Sequence, residues 1–310
     1  MRRYIKSFED SEAIQNAIDN GDLSKPYVAY NEDADVIDWN TKTETDYRTI
    51  PLTFEILSDG NIVWKNSTLS DGRMTIQYSK NGGEWTEITS SNEGTSINVN
   101  SGDIVQFRGN NRYYSYKEDD VDFYNTFSGS TAQFKVYGNI MSLINSTNFS
   151  GLTTFPTYSS SVRVFYFLFR NCTGLTDASK LILPATTLAQ NCYGYMFQDC
   201  TSLTTAPELP ATTLAQYCYY RMFRGCTSLT TAPELPATTL AQYCYYEMFR
   251  DCSLNYIKCI ATDISASNCT TSWVYGVQTT SGTFVKASGT SWPSGTSGIP
   301  YNWTVVDAEL

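Results

Sequence analysis

The chain has 310 residues, of which 41% are hydrophobic and 14% aromatic, and its formal net charge is −10. A chain of this length predicts two or three domains. The negative charge argues against a nucleic-acid partner, which would need a basic stripe on the protein. No apolar run approaches the roughly 18 residues of a membrane-spanning helix, so we expect no membrane insertion.

The sequence contains no histidine. Its absence removes the commonest general base and the commonest metal ligand. Acidic pairs such as Asp119/Asp120 and Glu32/Asp33 fall in charged segments that predict exposed loops, and nothing in their pattern indicates glycoside hydrolysis. The sequence therefore predicts a non-enzymatic protein that uses no cofactor and no metal.

Residues 1–45 predict a small anchoring unit, with a short helix ending near Asn20 and strands at Lys25–Tyr30 and Val36–Trp39. Such a piece is too small for a good core of its own, so we expect it to dock on another subunit or another protein. A disordered tail is the alternative, and Trp39 and the tyrosines argue against it. Met1–Asp10 holds basic residues but no apolar segment, and this pattern does not predict a secretory signal peptide.

Residues 46–137 predict a β-sandwich of about seven short strands, because apolar residues alternate with polar ones between turn signals. Asn81-Gly82-Gly83 is typical of a hairpin turn. No motif in this region carries chemistry, so a spacer or presenting role is expected. The clearest strands are predicted at Leu52–Leu57, Met74–Tyr78, Trp85–Ile88, Ser96–Val99, Asp103–Phe107 and Ala132–Tyr137.

Residues 138–270 contain an internal repeat. Cys200–Gln216 and Cys226–Gln242 have the same sequence, 26 residues apart. This period predicts a solenoid in which each unit buries its apolar face against its neighbours. Thr213-x-x-Gln216 has the form of a capping box and predicts a helix of about ten residues. Residues 271–310 leave the period and predict short strands that cap the solenoid.

The predicted helix has an apolar face and a second face whose residues differ between repeats. Leu214, Ala215, Cys218, Tyr219, Met222 and Phe223 give an apolar face at helical spacing. The nine cysteines, seven of them at repeat positions, predict small buried apolar side chains; a few disulfides are the alternative, and metal binding lacks a Cys-x-x-Cys motif.

Positions that differ between units form a second stripe, spaced i, i+3, i+4 and i+7. Because tyrosine and arginine dominate binding hot spots, we predict that this stripe is exposed and binds a ligand. Drift of an unconstrained surface is the competing interpretation. The candidate ligand-binding residues are Tyr195, Tyr217, Tyr220, Arg221, Arg224, Tyr243, Tyr246, Glu247 and Arg250.

The motif M-F-x-x-C-T-S-L-T-T-A-P-E-L-P resembles the 26-residue BspA-type leucine-rich repeat of bacterial surface proteins, over about Leu168–Leu254. That resemblance implies a right-handed leucine-rich solenoid used for adhesion. The segment Phe8–Trp39 resembles fibre or appendage proteins of crAss-like gut bacteriophages. Because no export signal is seen, the second resemblance favours a virion part that is assembled in the host cytoplasm and reaches the outside by lysis.

The combined expectation is a mixed α+β fold with a small N-terminal docking unit, a β-sandwich, a leucine-rich repeat solenoid and a short β C-terminal cap. The expected function is a phage fibre or decoration protein that binds a host-surface glycan or protein. Residues 1–45 would contact other virion proteins, and the resemblance to fibres implies a homo-oligomer, with a homotrimer favoured. The alternative is a bacterial cell-surface adhesin.

Overall fold

The computed structural model describes residues 45–67, 73–118, 121–155, 162–277 and 281–309, together with the backbone of residues 29–30 and 36–37. The chain divides into two compact units, Met1–Asp46 and Tyr47–Leu310. In the first unit, strand β1 (Ala29–Tyr30) pairs antiparallel with β2 (Val36–Ile37). The helix predicted before Asn20 lies outside the described residues.

The second unit is built from strands and turns. Two short 3-10 helices, Tyr47–Thr49 and Ile140–Leu143, are the only helical segments among the described residues, so the prediction of a mixed α+β fold is wrong. The strands are β3 (Leu52–Ile56), β4 (Gly60–Asn66), β5 (Thr75–Lys80), β6 (Thr86–Thr89), β7 (Thr95–Val99), β8 (Ile104–Arg108), β9 (Ser115–Glu118), β10 (Val121–Thr126), β11 (Phe134–Asn139), β12 (Val162–Arg163), β13 (Leu175–Ile182), β14 (Tyr256–Cys259), β15 (Thr283–Lys286) and β16 (Thr304–Asp307).

Two of the sheets share an aromatic core. One has the strand order β12-β9-β10-β4-β7 and the other β13-β11-β3-β8-β5-β6. Phe127 follows β10, and its ring centroid lies 4.9 Å from that of Trp64 in the first sheet and 4.9 Å from that of Phe54 in the second. Aromatic rings at this spacing bury a large apolar area and stabilise the contact further through their geometry.

The repeats are joined to the second sheet by backbone pairing. β13 lies parallel to β11, with Phe134 opposite Leu175. The core continues across this junction, because the ring of Phe169 lies 5.7 Å from that of Phe127. The two sheets and the repeats therefore belong to one continuous buried cluster. The predicted domain boundary near residue 138 stays a prediction.

The ten-residue helix predicted after Thr213 does not form. Residues 217–226 instead make consecutive tight turns with a positive φ at every fourth residue, Tyr217 (59°), Arg221 (53°) and Gly225 (76°). Every second backbone N–H group of this segment donates to a carbonyl of the next repeat. For example, the N–H of Arg221 donates to the carbonyl of Tyr246 at 2.9 Å. An α-helix needs all of these N–H groups for its own carbonyls, so this hydrogen bonding excludes one.

The leucine-rich repeat solenoid is also contradicted. Such a solenoid is lined by strands that pair repeat after repeat. Apart from the strands β13 and β14, the described residues of the repeats form only isolated parallel bridges, such as Thr187 with Thr213 and Thr239 with Asp263. The glutamine of the predicted capping box instead connects neighbouring repeats, because the Gln216 side-chain amide donates to the Gln242 side chain at 3.1 Å.

Columns of identical side chains stack along the repeats. Phe197 and Phe223 lie 5.4 Å apart between ring centroids, and Phe223 and Phe249 lie 5.8 Å apart, all nearly parallel. A second column runs through Tyr193, Tyr219 and Tyr245 at 5.9 and 6.1 Å. Burying each of these large side chains stabilises the fold by roughly 1.5–3 kcal/mol.

All nine cysteines are buried and carry free thiols, which confirms that they pack as small side chains. Several also fix the spacing of the repeats. The thiol of Cys200 donates to the carbonyl of Phe169 at 3.0 Å, and that of Cys226 donates to the carbonyl of Phe197 at 3.1 Å. Burial raises the pKa of these thiols, so they remain protonated donors.

The C-terminal segment extends the stack with a parallel sheet in the order β14-β15-β16. Trp273, Trp292 and Trp303 close the core here and are 0%, 8% and 7% exposed. All four residues of β16 are exposed at the sheet edge. The segment therefore covers the last apolar side chains with tryptophan but leaves its own strand edge open.

Candidate functional site

The four-residue turn places the repeat positions on two faces. Cys218, Tyr219, Met222 and Phe223 face the core and are at most 2% exposed, while Leu214 is partly buried against the same cluster. Positions one turn apart, such as Tyr217 and Arg221, therefore lie on the opposite face. The positions predicted to share a helical stripe still share a face, because a spacing of i, i+3, i+4 and i+7 also fits a period of four.

Eight of the nine candidate residues are partly exposed, and the ninth is buried. Glu247 is 4% exposed, in contrast to the exposed position that a helical stripe would give it. The other eight are Tyr195, Tyr217, Tyr220, Arg221, Arg224, Tyr243, Tyr246 and Arg250. We call these nine residues the outer face.

The tyrosines of the outer face stack in pairs between neighbouring repeats. Tyr217 and Tyr243 lie 4.7 Å apart at an interplanar angle of 13°, and Tyr220 and Tyr246 lie 4.9 Å apart at 6°. Tyr195 lies 5.3 Å from Tyr220. Because the paired rings cover each other's facing sides, they leave ring edges and hydroxyl groups for an outside partner.

Arg221 lies among these rings. Its guanidinium carbon is 5.0 Å from the centroid of Tyr220, and its Nη1 donates to the hydroxyl of Tyr195 at 3.1 Å. Burial, followed by the neighbouring Tyr195, raises the pKa of Tyr220 well above its usual value despite the nearby Arg221. The Tyr220 hydroxyl therefore stays neutral and can both donate and accept a hydrogen bond.

Glu247 is the centre of a cluster of three arginines. Its Oε2 lies 2.9 Å from Arg221 Nε and 3.4 Å from Arg224 Nη1, and its Oε1 lies 3.1 Å from Arg250 Nη1. A buried carboxylate needs such partners, since an unpaired charge in the interior is strongly unfavourable. The cluster holds neighbouring repeats together and concentrates positive charge at the surface.

The structure extends this face to residues that the repeat comparison missed. The buried ring of Phe167 lies 4.3 Å from that of Tyr124, tilted at 44°, and 4.6 Å from that of Tyr195. At the other end, the guanidinium carbon of Arg250 lies 4.6 Å from the ring centroid of Tyr275. The 28-residue offset between Phe169 and Phe197 places Phe167 level with Tyr195, so this offset was the signal available in the sequence.

Gly194 explains why the face differs in its first repeat. Tyr220 and Tyr246 occupy the equivalent positions in the next two repeats. A Cβ at Gly194 would lie 2.3 Å from the ring of Tyr166, so only glycine leaves room for that ring. Tyr166 from the preceding unit thus occupies the space that a tyrosine at position 194 would need.

The Pro-Glu-Leu-Pro side of the repeats is the competing surface. A cavity of about 340 Å³ lies between Pro207–Pro210 and Pro233–Pro236, and one of about 490 Å³ lies beside it at Lys258. Thr205 and Glu208 are exposed here. The Thr204 hydroxyl donates to the carbonyl of Thr176 at 2.9 Å, so this threonine serves the contact between repeats.

No protein-family model, no curated protein and no solved structure matches the chain. In the part of the chain that the structure describes, no helix is both long enough and apolar enough to traverse a bilayer. Within the same ranges, no group of three or more cysteine, aspartate or glutamate side chains is arranged to hold a metal ion.

Proposed function

We propose that the protein is a non-enzymatic attachment protein whose outer face binds a glycan on a host surface. The observation that carries the proposal is the row of partly exposed tyrosines and arginines that continues across neighbouring repeats. Rigid aromatic side chains and arginine contribute more to binding than any other residues at protein interfaces. Their hydroxyl groups and guanidinium groups match the hydroxyl-rich surface of a sugar.

The rigidity of the face supports this role. Tyr220 is held by Tyr195, Tyr246 and Arg221, so little side-chain entropy remains to be lost when a ligand binds. The backbone beneath is fixed as well, because Tyr219 and Arg221 both donate to carbonyls of the next repeat. A ligand would meet a surface that is already ordered.

The double variant Tyr220→Ala/Tyr246→Ala is expected to weaken glycan binding at least about tenfold, since it removes two central contacts of the face. A glycan array followed by titration of the best ligand measures this effect. Tyr220→Phe/Tyr246→Phe keeps the stacked rings and tests the hydroxyl groups alone. Tyr301→Ala is the matched control, because Tyr301 is 68% exposed and lies outside the repeats. Undiminished binding by the double alanine variant, in a folded protein, would refute the proposal.

We further propose that the protein is carried on a phage virion through residues 1–45, as a homo-oligomer, with a cell-surface adhesin as the alternative. The resemblance of Phe8–Trp39 to phage appendage proteins supports this placement, and Met1–Asp46 is a compact unit of its own. Light scattering of the chain with and without residues 1–45 tests it. A shortened protein that still assembles and attaches to particles would contradict the anchoring role.

A further inference from the structure

We propose that the arginine cluster around Glu247 takes the anionic group of an acidic sugar, either a carboxylate or a sulfate, while the neighbouring tyrosines contact the sugar ring. This inference rests on the proposed function and adds the class of ligand to it. The outer face would therefore discriminate acidic glycans from neutral ones.

The first argument is charge. Three guanidinium groups surround one buried carboxylate, which leaves an excess of two positive charges. Asp251 lies 3.4 Å from Arg250 and offsets part of this excess, but its side chain is 47% exposed. The whole chain carries a net charge of −10, so the cluster is a local positive site on an acidic protein. Such a site attracts anions and orients them on approach.

The second argument is the state of Arg224. Its guanidinium group makes no hydrogen bond with any residue in the described ranges, and its one ion pair, to Glu247, is long at 3.4 Å. The side chain is 28% exposed, so its donors are accessible. An arginine has five N–H donors in a planar fork that fits a carboxylate or a sulfate with two parallel hydrogen bonds.

The third argument is that Glu247 does not satisfy all the hydrogen-bond donors of the three arginines around it. Its Oε2 is buried and accepts no aligned hydrogen bond from the described residues, although Arg221 Nε lies 2.9 Å away. The interaction is thus electrostatic without full hydrogen bonding. The buried Nε of Arg221 is out of reach of a ligand, so the accessible donors of Arg224 are the ones left for an anion from outside.

The fourth argument is position. Arg221 links the arginine cluster to the tyrosine rows. It pairs with Glu247 as a member of the cluster, and its guanidinium carbon lies 5.0 Å from the Tyr220 ring centroid. A sugar whose anionic group meets Arg224 would bring its ring to the edges and hydroxyl groups of Tyr220 and Tyr246. The two kinds of contact are therefore available to one ligand.

The test is titration of the full chain with sialyllactose, with a sulfated lactose and with lactose itself. We expect at least one acidic probe to bind tenfold or more tightly than lactose. Arg224→Gln should remove about tenfold to a hundredfold of that affinity, in line with the loss of a charge-assisted hydrogen bond, and so reduce the preference for the acidic probe over lactose. Gln198 occupies the equivalent position one repeat earlier, so the fold accommodates glutamine there.

Arg224→Lys should retain part of the preference, because it keeps the charge but not the fork. Arg112→Gln, an exposed arginine outside the repeats, is the matched control and should change nothing. Comparison of the carboxylated and sulfated probes tells which anion is taken. Equal binding of lactose and both acidic probes, binding of neither acidic probe, or a preference that survives Arg224→Gln would overturn the inference.

The two proposals fail in different ways. If binding depends on Tyr220 and Tyr246 but is equally tight for acidic and neutral probes, the proposed function stands and this inference is refuted. Binding that is unaffected by the tyrosine substitutions would remove both.

Discussion

Replacing Phe223 with alanine is expected to lower the free energy of unfolding by about 3–5 kcal/mol. Phe223 is fully buried and stacks on Phe197 at 5.4 Å and on Phe249 at 5.8 Å. Removing its ring leaves a cavity in the middle of the column. The apolar neighbours on both sides cannot move together to fill this cavity, because backbone hydrogen bonds hold them in place. Denaturant unfolding followed by circular dichroism measures the loss.

Phe223→Leu is the graded comparison, because it keeps most of the apolar volume and should cost clearly less. Tyr217→Ala is the matched control in the same repeat, since its ring lies on the partly exposed outer face. A loss for Phe223→Ala no larger than that for Tyr217→Ala would contradict the packing of the repeats described above.

Glu247→Gln is expected to destabilise the protein by about 3–5 kcal/mol, because it leaves three arginines around a buried site without their common carboxylate. The distances of 2.9, 3.1 and 3.4 Å show that all three guanidinium groups form ion pairs with this one side chain. The effect should persist at high salt, since ions screen a buried group far less than an exposed one. Thermal and denaturant unfolding at low and high salt measure it.

Asp251→Asn provides the control, because Asp251 is about half exposed and its only ion pair within the described ranges is with Arg250, so its loss should cost less than about 1 kcal/mol. The double variant Arg221→Gln/Glu247→Gln should recover part of the stability, since it removes one of the stranded charges. Wild-type stability of the Glu247→Gln protein would show that the cluster is not coupled as the geometry indicates.

Six of the nine described strands between residues 46 and 137 could be read from the sequence, because apolar residues alternate with polar ones in them. Strands were found at Leu52–Ile56, Thr75–Lys80 and Ile104–Arg108, close to the predicted ranges. Gly60–Asn66, Ser115–Glu118 and Val121–Thr126 were missed. In Gly60–Asn66 the burial runs over Ile62, Val63 and Trp64 in succession, so the period-two signal is lost there.

The repeats were wrongly predicted as helical for a simple geometric reason. The buried positions Cys218, Tyr219, Met222 and Phe223 have a period of four, and the α-helix has a period of about 3.6. Over two turns the two patterns differ by less than one residue, so apolar periodicity cannot separate them. The choice of outward positions was right for eight of the nine residues, because both periods group the same positions, and wrong for the buried Glu247.

A finer signal was present in the sequence. The positions with a positive φ include Asn191, Asp199, Gly225 and Asp251, spaced in fours within their repeats. Asparagine, aspartate and glycine are the residues that adopt this left-handed conformation most readily, and their recurrence argues against a helix. The burial of Glu247 had no such signal, because it depends on arginines contributed by two neighbouring repeats.

Hydroxyl-radical footprinting of the free protein, read by mass spectrometry, tests most directly whether the repeats sort their tyrosines into an enclosed column and an outer face. The structure predicts rapid modification of Tyr220 and Tyr246 and almost none of Tyr219 and Tyr245, which are 2% and 0% exposed. Equal modification of the two sets, or faster modification of Tyr219 and Tyr245, would contradict the arrangement on which both the stability and the proposed binding depend.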